Sequence, residues 1–338
     1  MKQPGRTPPF RGADGKVMAG SIAEVGYRRL AGVDQWVLIR GESVANPPLI
    51  LLHGGPGWSE TGLFRYFNAP LEKSFTAIYW DQRGAGKSSD RRIPQSSMTV
   101  EQFICDLDEL VDAVSERLGK TKVVIFGHSW GSVLGVLYAA RFPEKVMAYV
   151  GCGQLGDWSA AESASYTWAL SEAQRRGKRR AVSKLRAIGP PPYPAKAVFT
   201  ERTCVVRLEG GMRPAAVWTM ARAVLGSRES SIFELPNAMR AFRLCMDAMW
   251  REVSRLNLIE LVPELQMPVF FFLGRKDHFV PAETSVAYLD ALSAPSKKLV
   301  WFENSGHEPF VDEPHKFNAA MAELVRPVRP SDLRVRAA

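Results

Sequence analysis

The 338-residue chain has only four cysteines and five histidines. Cys105, Cys152, Cys204 and Cys245 stand far apart and form neither a CxxC pair nor another metal-ligand spacing. That excludes a sequence-evident zinc site or disulfide framework and predicts a reduced, cytoplasmic protein with neither metal nor other cofactor. No apolar run approaches a membrane span, and the start, MKQPGRTPPFRGADGKV, has no apolar core of the kind a signal peptide needs. Repeats of fixed period and low-complexity tracts are also missing.

What the chain does have is apolar residues, at 46%, and an excess of positive charge, with a net +9. The first suffices for one large core. The second invites a nucleic-acid or membrane reading, but the basic residues are scattered. Their densest cluster, Arg175 to Arg186, has the spacing of a solvated helix face, so neither partner is expected.

Unbroken apolar runs at 47–54 (PPLILLHG), 75–82 (FTAIYWDQ) and 122–129 (KVVIFGHS), with further strand candidates at 145–153, 268–274 and 297–304, alternate with helical segments. Strands of this kind belong in a parallel sheet covered on both faces, so the fold class is α/β. Two earlier strands, 24–30 and 34–40, read as a leading hairpin. Residues 99–119 have helical periodicity between a Thr99 cap and Gly119. Strand signals thin out over 154–262, where helical patterns dominate. The expected organisation is a flexible arm (1–23), a core in two pieces (24–153 and 263–328), a helical cap (154–262) and a basic tail (329–338).

The stretch Gly127-His128-Ser129-Trp130-Gly131 fits G-x-S-x-G between an apolar strand and a helix. There the serine sits on a sharp turn with its hydroxyl above the sheet, and the helix N-terminus favours developing negative charge. A serine nucleophile needs a base, and the base an orienting acid. His307 in NSGHEPF and Asp277 in GRKDHFVP each directly follow a strand, where sites in open α/β sheets gather. His53, His128 and His315 suit structural roles, and His278 suits the pocket lining. Asp312 and Glu308 lie near His307 but follow no strand. The glycine loop His53-Gly54-Gly55-Pro56-Gly57 offers an oxyanion hole built from the N–H groups of Gly55 and Trp130. GAGKS is no phosphate loop, because Asp81 stands where the pattern needs glycine; an Asp81–Arg83 pair supporting the glycine loop is expected instead.

Taken in order, HGGPG, DQRGAGKS, GHSWGS, GRKDHFVP and SGHEPF resemble the proline iminopeptidase branch of the α/β-hydrolase superfamily, over about residues 25–325. The resemblance implies Ser129 as nucleophile, Asp277 as acid, His307 as base, and a substrate site shaped by the cap. Aminopeptidases of that branch hold the substrate amine with cap acids, in an E-x-H-Y-F-like stretch that this chain lacks. Glu201, Glu209, Glu229, Glu234, Asp247 and Glu252 are available without matching it. The cap is rich instead in apolar side chains, with Trp218 and Trp250 as candidate substrate contacts beside His278. The expected function is therefore cleavage of a small carboxylic ester or amide through an acyl-enzyme, and the alternative is release of N-terminal proline or another small residue. Exposed cap surface leaves room for a homodimer.

Overall fold

The computed structural model describes residues 4–211, 222–223, 226 and 235–328. Eight strands form one sheet: β1 (Ile22–Leu30), β2 (Val33–Gly41), β3 (Pro48–Leu52), β4 (Thr76–Trp80), β5 (Val123–His128), β6 (Val146–Cys152), β7 (Val269–Gly274) and β8 (Lys297–Phe302). Their order across the sheet is β1-β2-β4-β3-β5-β6-β7-β8. β1 and β2 form the leading hairpin, and β2 runs antiparallel to β4. From β4 to β8 every pairing is parallel. The central strands β3, β4, β5 and β7 are buried at every residue, as their unbroken apolar sequences require.

Three labelled helices precede β6: α1 (Thr61–Phe67), α2 (Val100–Leu118) and α3 (Trp130–Arg141). The cap of α2 matches its sequence signal. The Thr99 hydroxyl accepts from the Gln102 N–H at 3.2 Å, and Gly119 ends the helix in the left-handed region at φ 62°. Between β6 and β7 the described residues hold α4 (Trp158–Arg175), α5 (Arg179–Ile188), α6 (Ala195–Arg207), α7 (Leu235–Val253) and a single helical turn at 258–261, and no strand of the sheet. The basic cluster does form a solvated face, since Lys178 to Arg180, Ser183–Lys184 and Arg186 are not buried. α8 (Ala282–Ala291) and the short α9 (Pro309–Asp312) follow β7 and β8. Among the described residues no helix is long and apolar enough to cross a membrane. The tail from 329 lies outside the described residues.

Two expectations need correction. The described part of the N-terminal arm is tied down rather than loose. The Trp36 indole N–H donates to the Pro4 carbonyl at 2.7 Å, the Arg40 guanidinium donates to the Pro8 carbonyl at 2.7 Å, and Arg40 lies over the Phe10 ring at 4.4 Å. An aromatic ring and two exposed carbonyls thus dock on β2. The second correction concerns Arg83, which does not pair with Asp81. Its guanidinium makes a two-pronged contact with Asp106 of α2, at 2.7 and 2.6 Å, with both side chains essentially inaccessible. Asp81 does support the glycine loop, but through the hydroxyls of Ser59 and Thr61 and the N–H of Lys87.

Removing one partner of a buried ion pair strands the other charge. Asp106→Ala should therefore destabilise the fold by about 3–5 kcal/mol, seen as a lower midpoint in urea unfolding. An unchanged midpoint would show that Arg83 finds solvent or another partner.

Candidate active site

Ser129 sits where β5 turns into α3, with φ 52° and ψ −118°, a region that L side chains rarely occupy. The turn is held from both sides. The Ser129 N–H donates to the Cys152 carbonyl of β6 at 2.9 Å, and the Ser129 carbonyl accepts from the Ser132 hydroxyl at 2.6 Å. Glycine is required next to it: a Cβ on Gly131 would stand 2.1 Å from the Leu52 carbonyl oxygen of β3. The helix thus begins in direct contact with the end of the neighbouring strand, and the serine is lifted to its rim.

The loop after β8 brings His307 to the same rim. Its Nδ1 is 2.8 Å from Asp277 Oδ2, in the loop after β7. The other oxygen, Asp277 Oδ1, accepts from the N–H groups of Phe279 and Val280 at 2.9 and 3.0 Å, so the carboxyl is fixed by its own turn. Burial lowers the His307 pKa against the pull of Asp277, so the imidazole is neutral at neutral pH. Gly153, at φ 53°, makes room for the ring, because a Cβ there would lie 2.7 Å from His307 Cε1.

Behind this pair lies a second one that the sequence reading left as simple packing. His128 Nδ1 is 2.7 Å from Glu60 Oε1, and His128 Nε2 is 2.9 Å from the His307 carbonyl oxygen. Both ring nitrogens face acceptors, which is the arrangement of an imidazolium. Burial opposes that charge, but Glu60 outweighs it and the His128 pKa is pushed up to about 9. Glu60 carries no motif signature; only its place three residues after HGGPG could have drawn attention to it. His53 is the opposite case. Its Nε2 accepts from the Gln82 N–H at 3.0 Å and its Nδ1 meets the Gly54 carbonyl at 2.8 Å, and burial lowers its pKa, so it is a neutral brace of the glycine loop. Gln82 also accepts from the Trp130 indole N–H at 3.0 Å and thereby ties the glycine loop to the serine turn.

Ser129, His307, Gly54 and Gly55 open into one cavity of about 490 Å³. Its far walls come from α4, α6 and α7, where apolar Trp158, Phe199, Phe242, Met246 and Trp250 stand beside the charged Glu162, Arg202 and Arg207. Trp250 thus stands where expected, its indole N–H given to the Tyr193 carbonyl at 2.7 Å. Trp218 lies outside the described residues. His278 requires a correction: it does not line the cavity, and its ring stacks on Trp168 at 3.9 Å. The Asp277 turn gives the cavity Phe279 and Val280 instead. A wider depression of about 650 Å³ lies along α4 and α5, but only Arg179, Arg186 and small or neutral side chains line it, with no nucleophile or base.

With fold and cavity in view, the comparisons are decisive on class. The family model described as alpha/beta hydrolase fold matches residues 47–314, and the chain belongs to that family as a hydrolase. It is similar to proline iminopeptidase-like members in particular. It is 32% identical over 310 residues to the probable aminopeptidase YbaC of Bacillus subtilis (strain 168), which covers 90% of this chain and 97% of that protein. It is 24% identical over 306 residues to a proline iminopeptidase of Saccharolobus solfataricus, covering 89% of this chain and 92% of that one. The crystal structure of a proline iminopeptidase-related protein from Thermus thermophilus superimposes with a TM-score of 0.65 at 20% identity, covering 91% of this chain and 99% of that one.

The Glu60–His128 pair makes stability depend on pH. A histidine whose pKa rises from 6.5 in the unfolded chain to about 9 in the fold contributes fully below 6.5 and loses that contribution as pH climbs through about 9. The contribution is of the order of 3 kcal/mol. Glu60→Gln should lower the urea midpoint at pH 6, and the gap to the unsubstituted protein should close by pH 10. A gap that stays constant would show that His128 is not charged in the fold.

Proposed function

We propose that this protein is a serine hydrolase that cleaves a small ester or amide through an acyl-enzyme. The observation that carries the proposal is the strained Ser129 turn opening into the same cavity as a buried His307–Asp277 pair. In this reading His307 Nε2 takes the Ser129 proton as Oγ attacks the substrate carbonyl. Asp277 holds Nδ1–H and stabilises the imidazolium as it forms. The N–H groups of Gly55 and Trp130 receive the oxyanion; neither is engaged by another group among the hydrogen bonds of the described residues. The intermediate collapses and His307 returns the proton to the leaving alcohol or amine. Water then enters by the same route, giving its proton to His307, and releases the acid.

Residues 154–262 serve as the cap, and their apolar cavity wall suits a compact acyl group or side chain. A second reading, release of a small N-terminal residue from an amide, is favoured by the 32% identity to a probable aminopeptidase over nearly the full length of both chains. The partner is then a short peptide. All four cysteines are unpaired, as suits a reducing cytoplasm.

The test is a rate comparison on p-nitrophenyl butyrate, L-proline p-nitroanilide and N-acetyl-L-proline p-nitroanilide. Ser129→Ala should lower turnover by about 10⁴-fold or more while leaving the unfolding midpoint in place. Residual activity near the original rate would overturn the nucleophile assignment. The kcat/KM profile should rise with pH as His307 loses its proton. Because burial holds that group below 6.5, the midpoint of the rise should lie below 6.5. A rising limb centred above 6.5 would contradict His307 as the base.

A further inference from the structure

Most of the charged groups that face the cavity are already satisfied within the protein. Glu162 is held by Arg202 and by the Tyr193 hydroxyl at 2.8 Å. Arg202 also binds Glu201 at 2.6 Å, so one cationic side chain is shared between two acids and both carboxyls are engaged by it inside the cap. Glu60, which also lines the cavity, gives Oε1 to His128, while its buried Oε2 has no hydrogen-bond partner among the described residues. Of the other cap acids, Glu252 accepts from the Val100 N–H at 3.1 Å, while Glu209 and Asp247 are exposed and do not line the cavity. Glu229 and Glu234 lie outside the described residues. Glu308 is different. It lines the cavity directly after His307, and its carboxyl has no hydrogen-bond or ion-pair partner among the described residues.

We infer that the Glu308 carboxyl receives the protonated amine of an N-terminal residue whose carbonyl stands at Ser129. The inference rests on the exopeptidase reading above. In an N-terminal residue the amine is bonded to the carbon adjoining the carbonyl under attack. An acid adjoining the base in the chain therefore has the reach for that amine, more than for one at the end of a long side chain. The surrounding charge points the same way. Glu60, Asp277 and Asp312 all act on Glu308 with negative charge, and His128 opposes them. Arg207 of α6 also lines the cavity, and with it counted the acids around Glu308 still outnumber the cations, three to two. Burial, reinforced by these acids, pushes the Glu308 pKa up to about 8 in the empty cavity. The carboxyl then gives up its proton to solvent when an ammonium arrives. Amine recognition by this chain is thus placed on the core, beside the base, and the cap acids Glu162 and Glu201 are left to hold Arg202.

The experiment is the ratio of kcat/KM for L-proline p-nitroanilide to that for N-acetyl-L-proline p-nitroanilide, in the unsubstituted protein, Glu308→Gln and Glu308→Asp. The expected result is a ratio well above unity that falls at least tenfold in E308Q, chiefly through KM, and partly recovers in E308D. KM for the free-amine substrate should fall as pH rises towards 8 in the unsubstituted protein and lose that dependence in E308Q. The aspartate variant keeps the test open should the glutamine variant fold poorly. An undiminished ratio in both variants, with free-amine preference intact, would overturn the Glu308 assignment and leave the exopeptidase reading standing. A ratio near unity in the unsubstituted protein, with Ser129-dependent ester turnover, would overturn the exopeptidase reading and this inference with it.

Discussion

The whole site depends on one close contact, the approach of Gly131 in α3 to the carbonyl end of β3. No side chain fits between them, so α3 must start against the sheet and Ser129 must take up a positive φ to enter it. That single turn aligns several features. It places the serine at the carboxyl ends of parallel strands, where the loops after β7 and β8 also emerge. It puts the first free N–H groups of α3 beside the glycine loop after β3. It also packs the Trp130 indole into the interior, where Gln82 locks it to that loop. Strain at Ser129 persists because hydrogen bonds to Cys152 and from Ser132 over-determine the backbone there.

Around this turn, buried charges are arranged pair by pair. Arg83 meets Asp106 below the loop after β4, Glu60 meets His128 behind the serine, and Asp277 meets His307 beside it. Each pair joins segments distant in sequence and so fixes one against another: the loop after β4 against α2, the loop after β3 against the end of β5, and the loop after β7 against the loop after β8. The two histidine pairs have opposite electrical outcomes despite similar geometry. His128 has acceptors at both nitrogens and stays charged. His307 has one acceptor, with no hydrogen bond at Nε2 among the described residues, and burial keeps it neutral. The difference lies in what stands at the second nitrogen: a carbonyl for His128, and an available proton-accepting position for His307.

Much of this was legible in the chain. The runs at 47–54, 75–82, 122–129 and 268–274 correspond to strands because a strand buried on both faces has no choice but to be apolar throughout, whereas β8 at the sheet edge begins with two exposed lysines. Ser129 and His307 meet at one cavity, with Asp277 held against His307, because each follows a strand of the sheet and strand ends lie side by side in a parallel sheet. Single side-chain directions and long-range partners were less legible. His278 went astray because the Asp277 carboxyl captures the N–H groups of residues 279 and 280, a tight turn that gives the cavity Phe279 and sends the His278 ring to Trp168. Arg83 went astray because Asp106 is 23 positions further along, on a helix whose azimuth no local pattern specifies. The N-terminal arm looked loose by composition, yet one Phe10 ring and two carbonyls suffice to dock it on β2.

Substrate choice is the least local property of all. The cavity draws on the glycine loop, the Ser129 turn, the segment after β6, α4, α6, α7, the Asp277 turn and the His307 segment, stretches with no shared spacing. Counting acids in the cap sequence therefore misleads, because a carboxylate can bind a substrate cation only if no cation of the protein already holds it. Glu162 and Glu201 are both engaged by the single side chain of Arg202. Glu308 carries no motif, and its carboxyl is left unpaired among the described residues by the same folding that pairs its neighbours. A fold shared by many hydrolases can thus keep its catalytic geometry while the charges that face the cavity are rearranged, because Ser129 and His307 follow core strands whereas the acids of α4 and α6 are engaged by one arginine.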